Sequence, residues 1–288
     1  MSQDRLEASL DIDRRSTLEI VRVIHEQDRL VAEAVAAEAE RIAQAIDQIA
    51  ERLACGGHLF YVGAGTSGRM AMLDAAELPP TFGVHPSLVR VLMAGGERAF
   101  LAAAEGAEDD EEAAIAAVDR NVTAGDAVVG IAASGTTPYT VAAVQRAKEF
   151  GALTVGITST PGSPLAVEAE IAIVPKTGPE AIMGSTRLKS GTAQKLVLNT
   201  ISTGVMIRLG RVYSNLMIEM PVTNEKLRRR GVHMVELAAG VSRAAAEQAL
   251  HEAAGNVKLA AVMAKRRVSA EEARRLLDGR TLREVLER

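Results

Sequence analysis

Aromatic residues are scarce in this chain, whose 288 residues include four Phe, three Tyr and no Trp. Proteins often hold a nucleotide base or a flavin against flat aromatic side chains, because these offer large apolar faces. The scarcity therefore argues against such a ligand. The 24 glycines, by contrast, let the backbone approach a ligand closely.

Cysteine is almost absent. Cys55 stands alone, which excludes an intrachain disulfide and a metal site made of several thiolates. The five histidines show no i, i+4 pairing and no metal-ligand grouping; they are His25, His58, His85, His233 and His251. We therefore expect no metal and no other cofactor, and the single cysteine is typical of a cytoplasmic protein.

An excess of positive charge is also missing, since 33 Lys and Arg face 37 Asp and Glu, for a net charge of −4. Binding to nucleic acid or to an anionic membrane depends on basic side chains that neutralise phosphates, so we expect neither partner. No stretch approaches the roughly 20 apolar residues of a membrane-spanning helix. The charged N-terminus leads into no apolar signal core, so we expect no export signal.

Short apolar runs and amphipathic helical patterns alternate through the middle of the chain. The runs at residues 58–62, 88–93, 127–132, 153–157 and 170–174 predict buried strands. Helical patterns separate them, and a longer helical pattern follows at residues 188–209. This alternation predicts parallel βαβ units and a doubly wound α/β core with helices on both faces of the sheet.

Helical patterns without strands flank this core. Ser16 and Glu19 have the spacing of a capping box and begin a pattern that extends to residue 54, with a predicted break near Asp28. From Gly231 onward Ala, Glu and Arg dominate. We predict N-terminal helices packed on the core in residues 1–55, an α/β domain in 56–230 and a small all-helical domain in 231–288.

A glycine-rich loop, GAGTSG at residues 63–68, follows the first predicted strand and opens a helix. Glycines let backbone N–H groups surround an anion at the positive end of a helix. A dinucleotide-binding turn also needs an acidic residue about 20 residues later to hold a ribose. Here Glu97 comes late and behind two glycines. The hydroxyls of Thr66 and Ser67 favour a site that binds hydroxyl or phosphate oxygens directly.

A second loop, AASGTTP at residues 132–138, also ends a predicted strand and enters a helix. Loops that leave the carboxyl ends of parallel strands lie on one edge of the sheet, where open α/β sheets bind ligands. Ser134 and Thr137 alone would more often be helix caps. Together the two loops predict a phosphosugar site, with candidate residues Gly65, Thr66, Ser67, Ser134, Gly135, Thr136 and Thr137.

A third hydroxyl-rich turn, at residues 184–192, precedes the long helical pattern and contains Ser185 and Lys189. The N–H groups of this helix start and the ammonium of Lys189 suit an anion, which makes both residues candidates for phosphate binding. Simple capping with Lys189 in solvent is an equally good interpretation.

Carboxylates in two places suit acid–base chemistry. Glu77 lies three residues beyond Asp74, which predicts the inward stripe of the helix that begins near Ser67, and Pro79-Pro80 should end that helix. Burial would raise the pKa of Glu77 and let it donate a proton near neutral pH, although a hydrogen-bonded structural role is equally consistent.

An acidic run follows between the second and third predicted strands. Such runs usually begin a solvated helix, where the dipole favours acids. Spacing selects no catalytic member among Glu105, Glu108, Asp109, Asp110, Glu111 and Glu112.

These loops belong to longer motifs that occur in order along residues 11–230. They are IDRRSTLE (12–19), GAGTSGR (63–69), DAAELPPTFG (74–83), AGGE (94–97), EGAED (105–109), GIAASGTTPY (130–139), KSGTAQKLVLN (189–199) and TNEKL (223–227). In this combination the sequence resembles the N-acetylmuramic acid 6-phosphate etherase family. The resemblance implies a sugar isomerase (SIS) fold, with a five-stranded parallel sheet, in a homodimer.

The resemblance also implies a reaction on a phosphosugar. The lactyl ether of N-acetylmuramic acid 6-phosphate is cleaved to N-acetylglucosamine 6-phosphate and D-lactate during recycling of cell-wall sugar. A carboxylate removes the C2 proton of the open-chain aldehyde, lactate leaves C3, and water adds there. Matched by motif, Glu77 corresponds to the acid that protonates lactate and Glu108 to the second catalytic carboxylate, the C2 base.

Two other functions stay open. A non-catalytic sugar-phosphate sensor of the glucokinase regulatory protein type shares these loops, although such regulators carry two SIS domains in a much longer chain. A nicotinamide dehydrogenase would use the first glycine loop alone, and would bind NAD rather than a sugar phosphate.

Overall fold

The computed structural model describes residues 4–102, 104 and 106–287. The strands are β1 (Leu59–Gly63), β2 (Val89–Met93), β3 (Ala127–Ile131), β4 (Leu153–Ile157) and β5 (Ile171–Ile173). The helices are α1 (Thr17–Ala36), α2 (Ala39–Ala54), α3 (Gly65–Phe82), α4 (Arg98–Leu101), α5 (Glu111–Asn121), α6 (Pro138–Glu149), α7 (Pro164–Glu168), α8 (Lys189–Arg208), α9 (Glu225–Ala239), α10 (Arg243–Glu252), α11 (Val257–Arg266), α12 (Ala270–Leu277) and α13 (Leu282–Leu286). Within these ranges no helix has the length and apolar character needed to cross a bilayer.

The five strands form one parallel sheet in the order β2-β1-β3-β4-β5. β1 and β3 are neighbours although α3 and β2 come between them in the chain, so the winding direction reverses there. Every residue of β1, β3 and β4 is buried. Strands covered on both faces read as continuous apolar runs, which is why the sequence predicted them. The doubly wound, five-stranded α/β fold is confirmed.

The N-terminal helices pack on this sheet domain through buried apolar residues of α2 such as Ile42 and Ile49. The capping box of Ser16 and Glu19 is present, with both of its reciprocal hydrogen bonds. The predicted break near Asp28 is wrong, because α1 continues to Ala36. The chain turns instead at Glu38, whose carboxylate accepts the backbone N–H of Val174 at 3.1 Å and so ties the turn to the end of β5.

Helix α3 does not end at its two prolines as predicted, but includes Pro79 and Pro80 and continues to Phe82. The prolines remove two helical N–H donors, which weakens the last turns. Leu78 and Phe82 are buried, and the backbone N–H of Gly83 still bonds to the carbonyl of Pro79 at 3.0 Å. Burial of these two apolar side chains compensates for the missing hydrogen bonds.

The chain forms two compact units. One comprises residues up to Ala76 together with Pro86–Val205, and contains the sheet; the other comprises Glu77–His85 and the residues from Met206 onward. The predicted boundary at residue 231 therefore comes too late. Ile218 and Met220 are buried in the same apolar cluster as residues of α9, α10, α11 and α13, so the segment before α9 belongs with the helical unit.

Asp126 connects two segments at the amino-terminal edge of the sheet. Its carboxylate accepts the backbone N–H of His58 at 2.7 Å, and the backbone N–H and hydroxyl of Thr123 at 2.7 and 2.8 Å. Desolvation by burial acts to raise the pKa of Asp126, but these hydrogen bonds outweigh it and lower the pKa below its usual value.

A lowered pKa predicts a pH-dependent contribution to stability. The contribution of Asp126 is complete above about pH 4, the pKa of an unfolded Asp, and is lost as the pH falls through the lower folded pKa. We expect Asp126→Asn to lower the free energy of unfolding by about 1–3 kcal/mol near neutral pH, with the difference shrinking below about pH 4. Urea denaturation of both proteins across this range measures it. Asp119→Asn, in an exposed ion pair with Arg146, is the control; a pH-independent difference for Asp126→Asn would contradict the prediction.

Candidate active site

The carboxyl ends of four strands lie side by side. Gly63 pairs with Met93 on one side and with Ile131 on the other, and Ile131 pairs with Ile157. Both glycine loops thus leave neighbouring strands at the same edge, where the strand order reverses. Open α/β sheets bind their ligands in the crevice at this position. The structure brings the two loops together as the strand alternation predicts, and their phosphosugar role stays a prediction.

The first loop enters α3 directly. Gly65, the first residue of the helix, is exposed and has a φ of +52°. Thr66 and Ser67 follow it in the first turn and are half-buried. The methyl carbon of Thr66 lies 3.7 Å from the position that a Cβ of Gly191 would occupy. The start of α8, which follows the third hydroxyl-rich turn, therefore packs against the first loop.

The second loop is ordered by its own hydroxyls. The Ser134 Oγ accepts the backbone N–H of Thr136 at 3.2 Å and its hydroxyl at 3.0 Å. Thr137 occupies the N-cap position of α6, but its side chain makes no capping bond. The interpretation of Ser134 and Thr137 as simple caps of α6 is therefore wrong, because the Thr137 side chain makes no capping hydrogen bond.

A fourth loop was missed from the sequence. The hydroxyls of Thr158 and Thr160, after β4, donate to the Ala133 carbonyl at 3.2 and 3.3 Å, which joins this loop to the second one. Ser163 is 5% exposed, and its hydroxyl has no hydrogen-bond partner among the described residues. Four hydroxyl residues after a predicted strand repeat the signal of the first two loops, so the same reasoning applied to residues 158–163 would have found it.

Gly135 is constrained more tightly than Gly65, although both have a positive φ. A Cβ on Gly135 would lie 2.0 Å from Oγ and 2.5 Å from Cβ of Ser163, so rotation of the Ser163 hydroxyl would not relieve the clash. A Cβ on Gly65 would meet nothing within 4 Å. The two glycines therefore form a matched pair for substitution.

Gly135→Ala should be more harmful than Gly65→Ala. The left-handed conformation costs an L-residue about 1–2 kcal/mol, which is all that Gly65→Ala should lose. Overpacking adds about 1–3 kcal/mol at Gly135. Urea denaturation should therefore show a larger loss of unfolding free energy for Gly135→Ala, and equal losses would contradict the predicted clash.

The third hydroxyl-rich turn, at residues 184–192, contains a buried lysine and not a solvated one. Lys189 is 2% exposed, so the interpretation with its side chain in solvent is wrong; its ammonium donates to the Gln27 side chain at 2.9 Å. The buried carboxylate of Glu180 accepts the backbone N–H groups of Lys189 and Ser190 at 2.9 and 3.0 Å. Burial lowers the pKa of Lys189, and the charge of Glu180 acts in the opposite direction. A protein carboxylate thus occupies this helix start, and Ser185 lies half-buried in the turn before it.

Glu77 is exposed, which contradicts its predicted place on the inward stripe of α3. The buried carboxylate of this helix is Asp74, which is 5% exposed. Asp74 accepts hydrogen bonds from the Tyr61 hydroxyl at 2.9 Å, the Asn199 amide at 2.6 Å and the Ser202 hydroxyl at 3.0 Å. Burial and the adjacent Asp74 charge raise the pKa of Tyr61 well above its usual value. Without knowledge of these partners, no sequence pattern favours Asp74 over Glu77.

Glu108 lines a cavity of about 260 Å³ beside the first loop. Ala64, Gly65 and Arg69 line it from the first loop and the start of α3, and residues 106–108 line it from the segment before α5. Arg69 and Glu108 are the charged residues among those that line it, and small side chains make up the rest. This cavity places a carboxylate and a guanidinium next to the candidate phosphate loop.

Other members of the acidic run have different surroundings. The Asp110 carboxylate accepts the backbone N–H of Ala113 at 2.8 Å and caps α5. Asp110 also lines a neighbouring cavity of about 480 Å³. Glu111 and Glu112 lie exposed in the first turn of α5, as expected of a solvated helix start. Glu105 lies outside the described residues.

Comparison with known proteins gives close relatives over nearly the whole chain. A Symbiobacterium thermophilum protein named N-acetylmuramic acid 6-phosphate etherase is 58% identical over 262 residues, which cover 91% of this chain and 87% of that protein. Proteins of the same name from Clostridium beijerinckii and Yersinia pestis are each 50% identical, over 96% and 95% of this chain and 91% and 93% of their own length. Residues 41–148 match the family model "Glucokinase regulatory protein N-terminal SIS domain", and residues 104–203 match "SIS domain".

Solved structures agree with the fold. A phosphoheptose isomerase from Francisella tularensis superposes with a TM-score of 0.52 at 18% identity, covering 66% of this chain and all of that one. A protein from Escherichia coli CFT073 gives a TM-score of 0.51 at 18% identity, over 70% of this chain and 97% of its own. At this level of identity the similarity concerns the fold.

Proposed function

This chain belongs to the N-acetylmuramic acid 6-phosphate etherase family, and we propose that Glu77 and Glu108 are the two catalytic carboxylates with which it cleaves the lactyl ether of that phosphosugar. The products are N-acetylglucosamine 6-phosphate and D-lactate. Identity of 50–58% over more than nine-tenths of the chain supports the activity. The observation that supports Glu108 is its place on the cavity beside the first glycine loop.

The reaction is an elimination followed by a hydration. In the open-chain form the C1 aldehyde acidifies the C2 proton, and a carboxylate removes it. The C3–O bond then breaks, and the departing lactate oxygen takes a proton from a carboxylic acid. Water adds its oxygen at C3 of the unsaturated aldehyde and a proton returns to C2. Each assisted proton transfer is worth about 10²- to 10⁴-fold in rate.

The two carboxylates take different roles in this proposal. Glu108 is the C2 base, and Glu77 is the acid that protonates lactate. Glu77 is exposed on α3, so its proton can exchange with solvent between turnovers. No residue in the described part of the chain has to hold a metal or cofactor for these steps, because the substrate aldehyde itself stabilises the carbanion.

The phosphate is held by the hydroxyl-rich loops. Backbone N–H groups at the N-termini of α3 and α6 suit a dianion, since the helix dipole is positive there. We assign this role to Gly65, Thr66, Ser67, Ser134, Gly135, Thr136 and Thr137, and retain Ser185 and Lys189 as candidates. Lys189 is 2% exposed and donates one of its three ammonium N–H groups to Gln27, so a phosphate would have to reach the remaining donors of a buried side chain.

Oligomeric state and cellular location complete the proposal. We propose that it acts as a homodimer in the cytoplasm, where the lone Cys55 would stay reduced.

Turnover of N-acetylmuramic acid 6-phosphate tests the proposal. Purified protein should release D-lactate, and in water enriched in oxygen-18 the heavy oxygen should appear at C3 of the sugar product and not in lactate. Label in lactate would contradict elimination. Tight binding of the phosphosugar without lactate release would instead favour a regulator, for which the family-model match over residues 41–148 is the supporting observation. A thermal shift with NAD and none with a sugar phosphate would indicate a dehydrogenase.

A further inference from the structure

Arg69 makes three hydrogen bonds to one short stretch of backbone. It lies on α3, four residues beyond Gly65, and its side chain crosses to the end of α4. Its Nε donates to the Phe100 carbonyl at 3.0 Å, and its Nη2 donates to the carbonyls of Ala99 and Ala102 at 3.0 and 3.2 Å. A guanidinium suits this place because the carbonyls at a helix end carry partial negative charge and lack helical donors.

The stretch that Arg69 holds leads directly to Glu108. Within residues 97–109, the backbone hydrogen bonds of the described residues are local, joining positions three or four apart. Among those residues, the bonds from Arg69 are the hydrogen bonds that connect this segment to a part of the chain distant in sequence. Packing adds further restraints: Ala99 is buried, Ala107 packs against the apolar cluster that contains Tyr139, and a Cβ on Gly95 would lie 2.6 Å from the Cβ of Ala104.

We propose that Arg69 is a positioning residue for catalysis, which fixes residues 99–102 beside the first glycine loop and thereby restrains Glu108, six residues further along the chain. The inference rests on the proposed role of Glu108. Arg69 and Glu108 line the same cavity, so a shift of the segment changes the distance between the carboxylate and a substrate bound at the loop. A displacement of about 1 Å can cost about 100-fold in rate, because proton transfer depends steeply on geometry.

A direct role as an anion ligand is the competing explanation. Guanidinium groups often bind phosphate or carboxylate through two parallel N–H donors. Here Nε and Nη2, one such pair, are bonded to backbone carbonyls. An anion could take this pair only by releasing α4, so the geometry favours the positioning role.

Arg69→Gln separates these explanations through kcat and KM. Loss of positioning should lower kcat about 10- to 100-fold and leave KM within about threefold, because the substrate contacts persist. Inhibition by the product D-lactate and by inorganic phosphate should also stay the same. A rise in KM with unchanged kcat, or weaker inhibition by either anion, would overturn the positioning role in favour of a ligand.

Arg90→Gln is the matched control. Arg90 lies on the neighbouring β2, is half-buried like Arg69, and donates to the Ser87 carbonyl at 3.1 Å, but it does not line this cavity. The same substitution at Arg90 should leave kcat unchanged.

If Arg69→Gln fails to fold, Arg69→Lys serves instead, because a single ammonium keeps the charge but cannot reproduce the planar fork of donors. Wild-type kcat in a folded variant of either kind would refute the proposal.

Hydrogen exchange gives a readout independent of turnover. Peptides that cover residues 97–109 should exchange faster in Arg69→Gln than in the wild type, and at the wild-type rate in Arg90→Gln. Unchanged exchange in Arg69→Gln would contradict the tether. Should the wild-type enzyme itself release no D-lactate, the proposed function fails first, while the exchange result still decides whether Arg69 holds this segment.

Discussion

Glu108→Gln should abolish most of the D-lactate release, lowering kcat about 10²- to 10⁴-fold. Gln has nearly the same shape as Glu but cannot accept the C2 proton. Glu108 is exposed and makes no hydrogen bond to a described residue, so its replacement should not affect folding. Substrate affinity should change little, because the proposed phosphate contacts come from other residues. A steady-state lactate assay with the purified variant provides the measurement.

The acidic run supplies its own control for this experiment. Glu112 is also an exposed Glu, four residues later in the first turn of α5, and Glu112→Gln should retain full activity. Equal activity of Glu108→Gln and the wild type would remove Glu108 from the mechanism. A loss in both variants would show that negative charge in the run matters, rather than one proton acceptor.

Asp74→Ala should lower the free energy of unfolding by about 3–5 kcal/mol. The substitution leaves three donors without their acceptor, on Tyr61, Asn199 and Ser202. A buried donor left unsatisfied costs about 1–3 kcal/mol, and the total lies toward the lower end for three donors because the Ser202 hydroxyl also lies 3.4 Å from the Asn199 carbonyl. Thermal or urea denaturation followed by circular dichroism measures the loss.

Tyr61→Phe is the graded comparison for that loss. It removes one of the three donors and leaves the carboxylate with two, so it should cost about 1 kcal/mol. An Asp74→Ala protein as stable as the wild type would mean that water replaces the carboxylate, and would contradict its structural role.

The strands could be predicted from the sequence because their local pattern and their environment agree. A strand buried on both faces needs apolar residues at every position, and residues 127–131 show that pattern without reference to the rest of the chain. The capping box of Ser16 and Glu19 is equally local. These features depend on residues a few positions apart, which is the range over which sequence patterns are informative.

Long-range partners account for the errors. The predicted inward position of Glu77 was wrong because Asp74, one turn earlier, meets donors that lie 125 and 128 residues away in the chain. The end of α1 depends on Val174, which bonds to Glu38 across 136 residues. No local pattern contains these pairings. For the same reason the acidic run offered no choice among its members until the resemblance to a family indicated Glu108.

The hydrogen bonds of Asp74 also set an order of events during protein synthesis. Asp74 follows β1, near the start of the sheet, but two of its three donors belong to α8. A nascent polypeptide must therefore emerge from the ribosome beyond Ser202 before this carboxylate can be buried with its full set of partners. Until then Asp74 can meet only the hydroxyl of Tyr61 among its three donors, so this buried polar cluster is completed after all five strands of the sheet have been made.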